Sequence, residues 1–312
     1  MHARPVPFVL ALLLLSAVAV GQTERAKRPE PTLHRCDLDL ERALDAAAEP
    51  ATNDDRTRIQ GVVERQRGLY RLFGIGSPEV YARFLTTGHK MRAELDAARK
   101  HFAGRDVGKD VVAAYHRTCE RLGRTRPRAP DFWLFHAWSR STNARTQGSG
   151  KPDEPIKVFL NLPALARGRH FEAAIVHESV HTLQAPMRAA TLLDRAAHEG
   201  VATYVSLQLV PGLSKPDAMF WPKASWDAAE QRRDAIVAAF AERRSSSKDQ
   251  DLAGFVYLAQ PLVAVPGAPD RCGYYVGLLM AEAWTRANPK RPLGDLLDAS
   301  PTDLWKALAT PR

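Results

Sequence analysis

Phe171-Glu172-Ala173-Ala174-Ile175-Val176-His177-Glu178-Ser179-Val180-His181-Thr182-Leu183 combines a helical period with a chemical pattern. The residues leading into the histidines are good helix formers. Ala173, Val176, Val180 and Leu183 fall on one stripe at helical spacing, which predicts a helix that buries that stripe. His177 and His181 fall on a neighbouring stripe, four residues apart and so one above the other. Pro186 supplies a stop shortly afterwards. Two imidazoles at this spacing can hold one zinc ion, and the glutamate between them, Glu178, can activate a water at the metal.

A catalytic zinc needs a third protein ligand. One known solution places a glycine and a third histidine three and six residues after the second histidine. Gln184 and Met187 stand there instead. The other common solution is a glutamate on a following helix, giving two histidines, one carboxylate and an open fourth position. Glu199 fits, because the 17 residues between it and His181 suffice for a helix end, a turn and a new helix. Leu192 to Leu209 carries the period of that helix, with Val201, Val205 and Leu209 at spacings of four. His198 is a rival ligand, better suited to a supporting or exposed role.

With these residues in place, the chain resembles a zincin metallopeptidase of the gluzincin type. His198-Glu199-Gly200-Val201-Ala202-Thr203-Tyr204 is similar to a Glu-Gly-x-Ala segment of bacterial zinc-dependent proteases, and Gly273-Tyr274-Tyr275-Val276-Gly277 resembles a downstream Gly-Tyr element of the same group. The resemblance covers about residues 130–210, with weaker support to 290. It implies Zn2+ held by His177, His181 and Glu199, with Glu178 as general base. It also implies a peptide or protein substrate, whose extended backbone pairs with the edge of a sheet lying before the motif helix. The chain departs from the group one helical turn after Glu199, where Ala202 and Thr203 replace the usual acidic residue. A partner orienting a ligand histidine must then come from elsewhere, and Asp194 is the candidate.

Hydrolysis of a peptide also needs a donor or cation for the charge that develops on the carbonyl oxygen. Tyr274 and Tyr275, opening a helical pattern from Gly273 to Arg286, are the catalytic candidates, and His170 is a further one. As packing residues, either tyrosine would sit half-buried on an amphipathic helix. Before the motif, Asp131 to Trp138 and Ile156 to Leu162 read as strands. Ser139 to Pro155 between them reads as a hairpin connection or a flap. His136 reads as structural.

The fold expected is α+β, predominantly helical, with a small sheet before the metal-binding helix. Residues 1–21 read as a signal peptide, from the apolar run Phe8 to Val20 and the small residues Ala17-Val18-Ala19. That run is too short to span a bilayer, so no membrane span is expected after cleavage, and the protein is expected to be secreted or periplasmic. Residues 22–125 form a helical N-terminal region whose first stretch, to about 35, is polar and Pro-rich and reads as a mobile N-terminus ahead of the fold; Thr57 to Leu72 and Pro78 to Phe102 look helical within it, as does Trp226 to Arg243 further on. Residues 126–312 form the zincin-like region, with the sheet and metal helices at 131–210 and further helices at 211–312. Cys36, Cys119 and Cys272 match no zinc cluster; one pair could form a disulfide, or all three could be reduced and buried. The net charge of +9 is spread along the chain, and no nucleic-acid signature accompanies it. The leading alternative to a peptidase is a catalytically inactive zinc-binding protein with a structural or sensing role; a basic helical binding protein is a third. Neither substrate preference nor oligomeric state is legible.

Overall fold

The structure, a computed structural model, describes residues 29–47, 51–72, 77–87, 90–137, 144–148, 154–168, 170–187, 190–256 and 262–310. The apolar start of the chain and most of Ser139 to Pro155 lie outside these residues. The fold is α+β and predominantly helical, with one four-stranded sheet among the described residues.

Strand β1 (Thr32–Arg35) leads into helices α1 (Cys36–Asp45), α2 (Asn53–Arg65), α3 (Arg67–Leu72), α4 (Pro78–Thr86), α5 (Lys90–Phe102) and α6 (Val107–Leu122). The sheet continues with β2 (Asp131–Phe135), β3 (Ala144–Gln147) and β4 (Lys157–Asn161). Its order is β1-β2-β4-β3; the first three run parallel, and β3 pairs antiparallel at the outer edge of β4. The expected hairpin therefore does not join β2 to β4. Parallel neighbours need a crossover, and the connection supplies it by laying down β3 on the far side of β4. The polar stretch expected to precede the fold likewise contributes β1.

Both faces of the sheet are covered, as parallel strands require. Phe132, Leu134, Val158 and Leu160 share a core with α6 and with Phe171, Ala174 and Ile175 of the motif helix. Phe135 and Phe159 point the other way, into a core with α1, α2, α4 and α5. The N-terminal helices are thus packed on the sheet.

After β4 come α7 (Leu162–Gly168), α8 (Phe171–Leu183) and α9 (Leu192–Leu209). Short helices α10 (Lys215–Ala218), α11 (Lys223–Gln231), α12 (Arg233–Arg243) and α13 (Asp249–Val256) follow, then α14 (Cys272–Ala287), a 3-10 turn (Leu293–Asp298) and α15 (Pro301–Ala309). Val176 and Val180 of α8 join a third core, built mainly by α9 and α14. Helix α8 is therefore wedged between two cores, and ten of its thirteen residues are buried.

One contact fixes how α9 meets α14. A β-carbon added to Gly200 would lie 2.0 Å from the Gly277 carbonyl carbon, and one added to Gly277 would lie 1.8 Å from the Ala196 carbonyl oxygen. The helices touch backbone to backbone there, which only glycine permits. Glu199 and Tyr274 lie beside that crossing.

Candidate metal centre

Helix α8 carries His177 and His181, and α9 carries Glu199. Thr191 starts α9 with a capping box: its side chain accepts from the Asp194 amide, and the Asp194 carboxylate accepts from Thr191 N at 2.8 Å. Asp194 is thereby committed to the cap and does not orient a histidine. That role falls to Gln184. Its Nε2 donates to the His198 main-chain carbonyl at 3.0 Å, which turns its Oε1 toward His181 Nδ1, 2.7 Å away. In the neutral ring the proton then sits on Nδ1, and Nε2 keeps a lone pair for a metal.

The two Nε2 atoms lie 3.1 Å apart, and each is 3.2 Å from Glu199 Oε2. A tetrahedral zinc with bonds of about 2.0–2.1 Å spaces its ligand atoms about 3.3–3.4 Å apart. The triangle fits that edge length, and the donor set of two imidazoles and a carboxylate suits zinc chemically. Both histidine side chains are 8% exposed and that of Glu199 is 19% exposed, so the charges lie in a largely dry place. Burial works against charge on His181, but Glu199 beside it overrides burial and pushes the imidazole up to about 9. Burial likewise opposes the Glu199 carboxylate, yet the charge of His181 and hydrogen bonds from both histidines hold it well below the usual carboxylate range. In the metal-free site a proton on His181 balances the Glu199 carboxylate, and a divalent cation binding there would take the place of that proton.

Glu178 is buried on the same helix, and its Oε2 accepts from the Thr146 hydroxyl of β3 at 2.6 Å. His198 stacks on His181, ring centroids 4.4 Å apart and planes 7° from parallel. Burial, then the neighbouring His181 charge, lowers its pKa to about 3, so it is neutral and packs against the His181 ring.

Comparison with protein-family models, curated proteins and solved structures finds no match to this chain.

The two candidate tyrosines separate. Tyr274 reaches the cluster: burial, then the Glu199 carboxylate to which it hydrogen-bonds, raises its pKa well above the ordinary phenol value. Tyr275 points elsewhere; its hydroxyl donates to Glu230 at 2.6 Å, and its ring packs between Trp221 and Trp226. The structure gives Tyr275 a packing role and does not bring it to the histidines. His170 lies at the N-terminal end of α8 and pairs with Asp217 at 3.3 Å, with burial lowering its pKa.

Two residues flank the centre with strained backbone. Among the described residues, Phe220 (φ 52°) and Arg271 (φ 55°) are the non-glycine positions in the left-handed region, which costs on the order of 1–2 kcal/mol each. Arg271 Nη2 donates to the Phe220 carbonyl at 3.4 Å, and its guanidinium lies 5.9 Å from the Tyr274 ring centroid. The Phe220 ring stands edge-on to His177, centroids 6.1 Å apart.

A second grouping, Asp37, Glu41 and His136, has donor atoms close enough to hold a cation. Its side chains already have partners. Arg35 donates to both Asp37 oxygens at 2.8 to 3.3 Å, and Glu41 lies 2.7 Å from His136 Nε2. The contact between Glu41 and His136 ties α1 to the end of β2. Cys36, Cys119 and Cys272 are buried free thiols; burial first of all raises Cys36 to about 11 and Cys272 to about 12. No helix among the described residues is long and apolar enough to cross a membrane.

Proposed function

We propose that this chain is an exported, zinc-dependent metallopeptidase of the gluzincin type, hydrolysing peptide bonds in a peptide or protein substrate. The observation that carries this reading is the convergence of His177, His181 and Glu199 on one point, with a buried glutamate between the two histidines. The apolar start of the chain supports export to the periplasm or the exterior.

Bound by these three residues, zinc would polarise the scissile carbonyl and acidify water at neutral pH. The remaining roles belong to the protein. Glu178 takes a proton from the attacking water and returns it to the leaving amine. Gln184 holds His181 in the ligand tautomer. Tyr274 stays protonated throughout the neutral range and hydrogen-bonds Glu199; with zinc and substrate bound, its hydroxyl would turn from that carboxylate to stabilise charge developing on the carbonyl oxygen. Strand β3 has β4 on one side and no partner on the other among the described residues. Its free edge can accept the main chain of an extended substrate, a mode that tolerates many side chains.

The test is Glu178→Gln. The variant is expected to keep one zinc per chain and to lose chelator-sensitive hydrolysis of a generic protein substrate by at least about 100-fold. Unchanged hydrolysis in that variant would remove Glu178 from the mechanism. Wild-type protein that holds zinc without hydrolysing any of a broad peptide library would favour the structural or sensing role instead.

A further inference from the structure

We propose that Thr146 is the positioning residue for the general base, holding one oxygen of Glu178 so that the other faces the reacting water. This rests on the peptidase reading of the site. The Thr146 Oγ1 atom lies 2.6 Å from Glu178 Oε2 and 3.3 Å from the Glu178 main-chain oxygen. A hydroxyl has one proton to give, and the shorter contact to the carboxylate takes it. Among the described residues no other side chain hydrogen-bonds the Glu178 carboxylate, although Glu178 is only 7% exposed. A buried carboxylate with one fixed oxygen cannot swing freely about its last torsion; its second oxygen is aimed. Proton transfer needs such aim, since a displacement of about 1 Å can cost about 100-fold in rate.

The surrounding strand favours this role over simple packing. Strand β3 reads Ala144-Arg145-Thr146-Gln147, with Arg145 and Gln147 exposed and Thr146 half-buried. It carries no large apolar side chain, and its backbone register, with Thr146 opposite Val158, needs no hydroxyl. Strand propensity alone would be served as well by valine. The hydroxyl instead links the outer edge of the sheet to the helix bearing the base. A substrate pairing along the free edge of β3 would then steady the strand that aims Glu178, and so couple docking to proton transfer.

Three variants test this in the zinc-loaded protein: Thr146→Val, Thr146→Ser and Thr146→Ala. Thr146→Val and Thr146→Ala are expected to lower kcat about 10- to 100-fold, with KM within about 3-fold and one zinc per chain. Thr146→Ser, which keeps the hydroxyl, is expected to restore kcat to within about 3-fold of wild type. A readout independent of activity is the thermal midpoint of Thr146→Val, Glu178→Ala and the double variant: the two losses are expected to be non-additive, because both remove the same bond. Wild-type kcat in Thr146→Val and Thr146→Ala would overturn the proposal. So would a serine variant no better than valine, or additive losses of midpoint. An inactive wild-type protein would count against the peptidase reading, while the midpoints still decide whether the Thr146 bond holds Glu178.

Discussion

Replacing Gly277 with alanine probes how Glu199 is brought to the two histidines. The added methyl carbon would sit 1.8 Å from the Ala196 carbonyl oxygen, 2.7 Å from its carbon and 2.9 Å from the Gly200 α-carbon. All three are main-chain atoms, so no rotamer change relieves the clash. Ordinary contact begins near 3.4 Å, so α14 and α9 must separate by about 1.5 Å or shear past one another. Overpacking of this kind costs about 1–3 kcal/mol, which for a protein of this size lowers the thermal midpoint by about 1.5–5 °C. The metal site is hit harder than the fold. Glu199 is one residue from Gly200, while His177 and His181 ride on α8. Zinc–ligand bonds tolerate about 0.2 Å, so a helix shift several times larger should weaken zinc binding by at least tenfold. Differential scanning calorimetry and competition with a chromogenic chelator measure the two effects. An alanine variant with wild-type midpoint and wild-type zinc affinity would refute the backbone-to-backbone account of the crossing.

Gln184→Leu removes the acceptor that fixes His181 and is expected to weaken zinc binding about 10- to 100-fold while the helical circular dichroism is retained; undiminished affinity would show that the tautomer needs no such partner. Tyr274→Phe should lower kcat by about 100-fold or more at constant zinc content, whereas Tyr275→Phe should lower the thermal midpoint and leave kcat within about 2-fold, since its bond is to Glu230; the reverse pattern would exchange their roles. In metal-free protein, His181 is raised from 6.5 to about 9 and Glu199 is held below 4.5. The histidine's contribution to stability is therefore complete below pH 6.5 and is lost as pH rises through about 9, and the glutamate's is complete above 4.5 and is lost as pH falls below that. Urea midpoints of metal-free protein should decline from pH 6.5 to 9. Zinc affinity should rise over the same interval by up to about tenfold per unit, with about one proton released on binding, and calorimetry in buffers of different ionisation enthalpy would expose a proton-independent affinity as the contrary result.

The parts of the fold written as strong periodicity were legible in the residues. Helix α9 begins and ends where its apolar spacing does, at Leu192 and Leu209, and α8 spans Phe171 to Leu183 as its stripe and Pro186 require. Strands β2 and β4 stood out because each is buried on both faces and rich in aromatic or branched residues. Strands β1 and β3 did not, for a physical reason. They are four-residue outer strands whose stability comes from one neighbour's backbone, so Ala144-Arg145-Thr146-Gln147 carries no hydrophobic alternation. The long helical patterns at Thr57–Leu72, Pro78–Phe102 and Trp226–Arg243 each break into two helices, because side-chain periodicity survives a short turn that redirects the axis.

The convergence of His177, His181 and Glu199 was legible because the two histidines share one helix face and only a single carboxylate had to be brought to them. Gln184 was not, since a glutamine just beyond a helix end looks like surface until the chain turns back to bring the His198 carbonyl beside it. Tyr274 could have been separated from Tyr275 by geometry alone. Consecutive helical residues point about 100° apart, and Tyr274, three residues before Gly277, shares the face that glycine presses against α9.

The central claim is that one divalent ion is gripped by two helices through three side chains. Diffraction data collected on either side of the zinc absorption edge, from crystals grown with stoichiometric zinc, test it most directly. The account predicts a single strong anomalous peak about 2.0–2.2 Å from His177 Nε2, His181 Nε2 and a carboxylate oxygen of Glu199. A peak elsewhere, or zinc on the histidines with Glu199 turned away, would contradict it.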